Sequence, residues 1–334
     1  MEPDRDCFRR LYEDLHDHHA DVGGRRRYLA GRRRTAADHL AELAPLRKRE
    51  RTPAGGYAED DEQSWRIMKL YALSRVGDHL IELFCPEGDP PAGFGVTGGR
   101  AVIEGSATHR LELGGWRVSA TPGRLGSRRL DVDGLAAYTE FFTDIGLTPF
   151  EHDEAFSPFH HEIFAVVQDP YATHVSLEEV LWPGFWFGDL LFSRAGVRVR
   201  APRHLIDAAV ATTSTLYFAS RREPRPTSDL SHGWGSNSQW RTRFHRFYSD
   251  EDGLHLNWDG EVDIGEDPPV RPADRLGEDD PLTERRELLL HRCFVRSALP
   301  RDEDDRFPFG DRLSLTTAEW PLRPESIVRM PRSR

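Results

Sequence analysis

Two segments carry residues whose types and spacing suit chemistry. The first is Phe159-His160-His161-Glu162-Ile163-Phe164-Ala165-Val166-Val167. On a strand, side chains alternate between faces, so His160 and Glu162 would project from one face about 7 Å apart. Imidazole and carboxylate together suit iron or zinc. Without a metal, Glu162 would orient His160 as a general base. The second is Asp229-Leu230-Ser231-His232-Gly233-Trp234-Gly235-Ser236-Asn237-Ser238-Gln239-Trp240-Arg241. It lacks the apolar periodicity a core needs. Its glycines allow close backbone approach, and its amides and hydroxyls can donate or accept. Trp234 and Trp240 offer stacking faces for a ring or a sugar.

Joined, the two segments give a working site. His160, Glu162 and His232 would be the catalytic set, either as ligands of a divalent metal such as Fe or Zn or as metal-free acid-base residues. Trp234, Ser236, Asn237, Gln239, Trp240 and Arg241 would bind a small-molecule substrate, with Arg241 or Arg243 holding an anionic group. The order His-x-acid, distant His, then Arg resembles the pattern of iron/2-oxoglutarate oxygenases. That resemblance covers these positions only. It departs from the family at Glu162, where Asp is usual, and in placing His232 in a Gly/Ser loop. It implies oxygenase-like chemistry; the residues by themselves suit hydrolysis equally.

A third segment, Leu181-Trp182-Pro183-Gly184-Phe185-Trp186-Phe187-Gly188, packs four aromatics into six residues. It reads as core, as the lining of an apolar pocket, or as a docking patch. In the docking case the chain is a non-catalytic interaction or scaffold subunit that uses residues 181–188 and the 229–241 loop, and a homo-oligomer is one form it could take.

Other motifs fail on their context. Gly93-Phe94-Gly95-Val96-Thr97-Gly98 has dinucleotide-fingerprint spacing, but Pro90-Pro91 precedes it where a strand is needed, and Val102-Ile103 follows where a helix is needed. His161-Glu162 begins a zinc-protease motif that ends on Ala165. Asp250-Glu251-Asp252-Gly253 begins like a calcium loop, but His255 stands where the sixth-position Gly belongs.

The elements that must position these residues follow from period and composition. Phe8, Leu11, Tyr12 and Leu15 form one helical stripe. Gly23-Gly24 would then break the chain, with Thr35 and Asp38 capping a second helix. Residues 62–84 form the strongest helical pattern. The Gly/Pro stretch 86–99 marks a boundary. Beyond it short strands are expected at 101–103, 111–113 and 116–118, a helix at 135–145 and a strand over 159–167. Hairpins are expected at 190–199 and, around Asp252-Gly253, at 244–264. A helix is expected from 283 to 299. Strands and helices do not alternate regularly, so the expected class is α+β: a helical N-terminal region (1–88), an α+β domain with a mostly antiparallel sheet (99–300), and an extended C-terminal tail (301–334) along the surface.

Length and composition agree. The 334 residues carry 38% hydrophobic and 30% charged side chains, and 18 Phe, 8 Trp and 8 Tyr suffice to fill a core. The net charge of −11, with only Lys48 and Lys69 as lysines, makes nucleic acid an unexpected partner and excludes a P-loop ATPase. No apolar run spans a membrane, and the opening MEPDRDCFRR has no secretory pattern, so the expected location is the cytoplasm. Three separated cysteines, Cys7, Cys85 and Cys293, make no disulfide framework.

Overall fold

The computed structural model describes residues 4–18, 22–50, 62–84, 101–102, 109–113, 116–120, 132–152, 154–206, 244–265, 269, 282–290 and 310–316. Its helices are α1 (Cys7–His18), α2 (Val22–Ala41), α3 (Glu62–Phe84), α4 (Val132–Asp144) and α5 (Leu282–Leu290), with a 3-10 turn at Ala44–Arg47. The class is α+β, a helical N-terminal region followed by mostly antiparallel sheets. Among the described residues no helix is long and apolar enough to cross a membrane.

In α1 the expected stripe is the buried one: Phe8, Leu11, Tyr12 and Leu15 all face the core. α2 differs from expectation. It runs unbroken through Gly23-Gly24 and Thr35. The two glycines fall in its first turn, where fraying already costs little, and the expected cap at Thr35 lies in the helix interior. α3 is buried on every side from Lys69 to Ile81. Its charges survive there by pairing, Lys69 with Glu42 at 2.6 Å and Arg75 with Asp78 at 3.1 Å.

The strands form three sheets. β1 (Ala101–Val102), β2 (His109–Leu113) and β3 (Trp116–Ala120) make an antiparallel meander. β5 (His161–Gln168), β9 (Ala195–Ala201) and β6 (Ser176–Trp182) make a second sheet in that order, with β5 parallel to β9. The third has seven strands. In order they are β12 (Val262–Asp263), β13 (Asp311–Leu315), β11 (Gly253–Leu256), β10 (Tyr248–Asp250), β8 (Leu190–Ser193), β7 (Gly184–Phe187) and β4 (Thr148–Phe150).

Two expectations are corrected by this topology. Residues 190–199 are not a hairpin: β8 and β9 belong to different sheets. The chain crosses at Arg194, and β9 is the central strand of the second sheet, paired with β5 on one edge and β6 on the other. Val197, Val199 and Ala201 bury one face, while Arg198 and Arg200 on the other pair with Glu179 and Glu178. The C-terminal segment does not only line the surface. Asp311–Leu315 is an interior strand, antiparallel to β11 and parallel to β12.

The core joins the two halves of the chain. Leu15, Leu40, Leu73 and Phe142 from the helices pack in one cluster with Phe164, Trp182, Phe185 and Tyr248 from the sheets. A second cluster on the far side of the seven-stranded sheet holds Leu254, Leu256, Leu313 and Phe247 with Ile163 and Val197.

Candidate functional site

His160 is not on the strand. It ends the turn before β5, where its backbone N–H reaches Ser157 O at 3.1 Å and its Nδ1 lies 2.8 Å from Ser157 Oγ. The expected shared face with Glu162 therefore does not form, because the turn at 158–160 breaks the period-two alternation before the strand begins. His160 instead stacks on His152, centroids 4.1 Å apart at 13°, and meets Phe150, Phe159 and Trp186 edge-on. Burial, then the charges of His152, His161 and Arg194, push its pKa down to about 2. Such a ring is a poor general base near neutral pH.

Its neighbour His161 is a fully buried clip. Nδ1 accepts the Ser157 N–H at 3.0 Å, so Nε2 carries the proton and donates it to Glu151 O at 3.1 Å. Burial pushes this imidazole down to about 4, against the carbonyl bond that favours the charged form. Glu162, next along β5, is 0% exposed. Among the described residues no group of three His, Cys, Asp or Glu side chains has the geometry to hold a metal ion. His232, Trp234, Ser236, Asn237, Gln239, Trp240, Arg241 and Arg243 lie outside the described residues, so the convergence expected from sequence has one described half.

The aromatic run at 181–188 is core. Trp182, Phe185 and Phe187 are buried, and only Trp186 is half-buried. A docking patch is therefore not what this run presents. Gly196 shows how tight the packing is: a Cβ there would sit about 2.0 Å from the Trp182 ring.

A different constellation assembles on the seven-stranded sheet. Residues directly opposed on paired strands share a face. The register Ser314↔His255↔Tyr248↔Leu190 therefore lays one row across β13, β11, β10 and β8. Residues 46–50 run over the middle of this row. Leu46 O accepts from the Tyr248 hydroxyl at 3.1 Å, and Glu50 O accepts from the Trp258 indole at 3.0 Å. Along the row His255 is buried while Ser314 is exposed.

Within that row a hydrogen-bonded chain runs from carboxylate to hydroxyl. His255 Nε2 lies 2.9 Å from Asp250 Oδ1, and His255 Nδ1 lies 2.8 Å from Ser314 Oγ. A carboxylate only accepts, so Nε2 carries the ring proton and Nδ1 is the lone-pair nitrogen facing the hydroxyl. Arg49 Nε holds the other Asp250 oxygen at 2.8 Å, its Nη2 takes Asp252, and its guanidinium lies over Trp258 at 5.0 Å. Burial would raise the Asp250 carboxyl, but the His255 hydrogen bond and charge, the Asp252 N–H and Arg49 outweigh it and hold its pKa below the ordinary aspartate value.

The hairpin that carries this chain is specified locally. β10 and β11 pair through Asp250↔Gly253, as the Asp252-Gly253 turn signal predicts. Gly253 adopts φ +136°, and a Cβ there would sit about 2.0 Å from Leu315 O. Sequence reading missed the site because Ser314 lies about sixty residues beyond His255, in a segment expected to be a surface tail. Only strand register brings the two together.

Searches against protein-family models, curated proteins and solved structures find no match to this chain.

Proposed function

We propose that the protein is an enzyme that hydrolyses a small ester through Ser314 as nucleophile, His255 as general base and Asp250 as the group that orients it. The carrying observation is the Asp250–His255–Ser314 chain, with a fixed tautomer and an exposed hydroxyl at its open end. This keeps the hydrolytic branch of the sequence reading and moves it away from His160 and Glu162, whose burial and turn geometry suit structure.

The proposed steps run as two acyl transfers. Ser314 Oγ attacks the ester carbonyl carbon while its proton passes to His255 Nδ1, and the carbonyl π pair moves onto oxygen. Asp250 stabilises the imidazolium through Nε2–H without taking its proton. Collapse of the tetrahedral adduct breaks the ester C–O bond, and the leaving alcohol takes the proton from Nδ1. Water then attacks the acyl-Ser314 ester, gives a proton to Nδ1, and releases the carboxylate as Ser314 recovers its own. A cytoplasmic location is part of this reading, supported by the unpaired thiol of Cys7.

The test is covalent. A fluorophosphonate probe is expected to label Ser314 in the wild-type protein, read by peptide mass spectrometry, and to leave Ser314→Ala unlabelled. Labelling that is absent, or that survives Ser314→Ala, overturns the proposal.

A further inference from the structure

Hydrolysis at Ser314 leaves one need unmet by the three residues: a donor for the oxygen that becomes negative in the tetrahedral adduct. Preorganised donors aimed at that oxygen are often the largest single contribution to acyl transfer. The Arg49 guanidinium has three nitrogens, and two are committed. Nε bonds Asp250 at 2.8 Å and Nη2 bonds Asp252. Nη1 contacts His255 Nδ1 at 3.4 Å, the same nitrogen that Ser314 Oγ approaches to 2.8 Å.

At 3.4 Å the Nη1 contact is a weak hydrogen bond, so its two N–H groups are poorly used in the resting protein. The carboxylates that hold Nε and Nη2 also fix the fork, and Trp258 supports its face, so a donor placed here needs no reorganisation when charge develops. Arg49 and Ser314 thus converge on one imidazole nitrogen from different elements, Arg49 from the strap at 46–50 and Ser314 from β13.

We infer that Arg49 is a catalytic residue of this site: its Nη1 donates to the carbonyl oxygen of the bound ester and stabilises the oxyanion that forms when Ser314 attacks. The assignment rests on the hydrolase reading and names its electrophilic half. It requires an acyl substrate, such as the proposed ester, whose carbonyl oxygen points toward the strap.

The experiment follows p-nitrophenyl acetate hydrolysis by the full chain in wild type, Arg49→Ala and Arg49→Lys, with fluorophosphonate labelling of each. Arg49→Ala is expected to lower kcat roughly a hundredfold, at the low end of what loss of one oxyanion donor costs, with KM changed little. Added guanidinium chloride at millimolar concentration is expected to return part of that loss, which a merely structural role would not allow. Arg49→Lys keeps the charge but not the fork and is expected to fall between the two. It serves as the readout should Arg49→Ala fail to fold. A wild-type kcat in either folded variant, or a loss in Arg49→Ala that guanidinium does not relieve, overturns the inference while labelled Ser314 leaves the hydrolase reading standing. Unlabelled wild-type Ser314 removes both.

Discussion

His255 and Ser314 face each other across β11 and β13 as a direct cross-strand pair, with Nδ1 and Oγ 2.8 Å apart. Sheet register, not loop placement, sets that distance. It therefore has the rigidity that a preorganised nucleophile and base require.

Removing the nucleophile or the base should cost similar amounts. Ser314→Ala, His255→Ala and the double variant are each expected to lower ester turnover by roughly a thousandfold or more, without summing in the double variant. Steady-state kinetics, with far-ultraviolet circular dichroism as the fold control, checks this. Additive losses would separate the two residues mechanistically.

Asp250 links the site to acid stability. Its folded pKa is below the unfolded aspartate value of about 3.9, so its contribution is fully present above that value. The contribution is lost as pH falls further, through the folded pKa. Urea unfolding should show wild type more stable than Asp250→Asn at pH 7, with the gap closing below about pH 4. A gap that stays constant with pH contradicts the paired carboxylate.

The histidines at the start of β5 predict a second acid sensitivity, at higher pH. Unfolded histidine titrates near 6.5. The folded values are about 2 for His160 and about 4 for His161. Between these values the unfolded chain binds more protons than the folded one, so stability is fully present above about pH 6.5 and declines as pH falls. His161→Gln should be less stable than wild type at pH 8, and its stability should fall less between pH 8 and pH 5. Urea midpoints at the two pH values decide this.

Metal should not follow His160. After growth in medium supplemented with iron and zinc, elemental analysis is expected to give the same metal content for wild type and His160→Ala. Stoichiometric metal lost in both His160→Ala and His232→Ala would instead restore the metal-centred site.

Trp182 and Gly196 make the packing prediction. Trp182→Ala should cost about 3–5 kcal/mol from lost burial and the cavity left behind. Gly196→Ala drives a methyl into the same ring and should also destabilise. Thermal melts distinguish both from a neutral surface change.

Much of the fold was legible from local pattern, though the Gly23-Gly24 break and the Thr35 cap were not realised in α2. The stripe at Phe8–Leu15, the 62–84 helix and the Asp252-Gly253 turn all appear in place. Strand partnering was not legible. Alternation shows that Leu190–Phe192 and Val197–Val199 are strands, but which edges they pair with, β7 and β10 or β5 and β6, is set by distant parts of the chain. The same limit applies to chemistry. His160-x-Glu162 is conspicuous as a string, yet the turn at 158–160 takes His160 off the strand that carries Glu162. The His255–Ser314 pair has no local signature, because its two members meet only through sheet order.

β13 enters between strands that precede it by about fifty to sixty residues. During synthesis, the inner flank of β11 must wait on the ribosome, unsatisfied, until residues 311–315 emerge, and such an open flank invites association with other chains. On the proposed reading the hydroxyl of Ser314 arrives with β13, so a chain cut short before residue 311 would carry His255 and Asp250 without it.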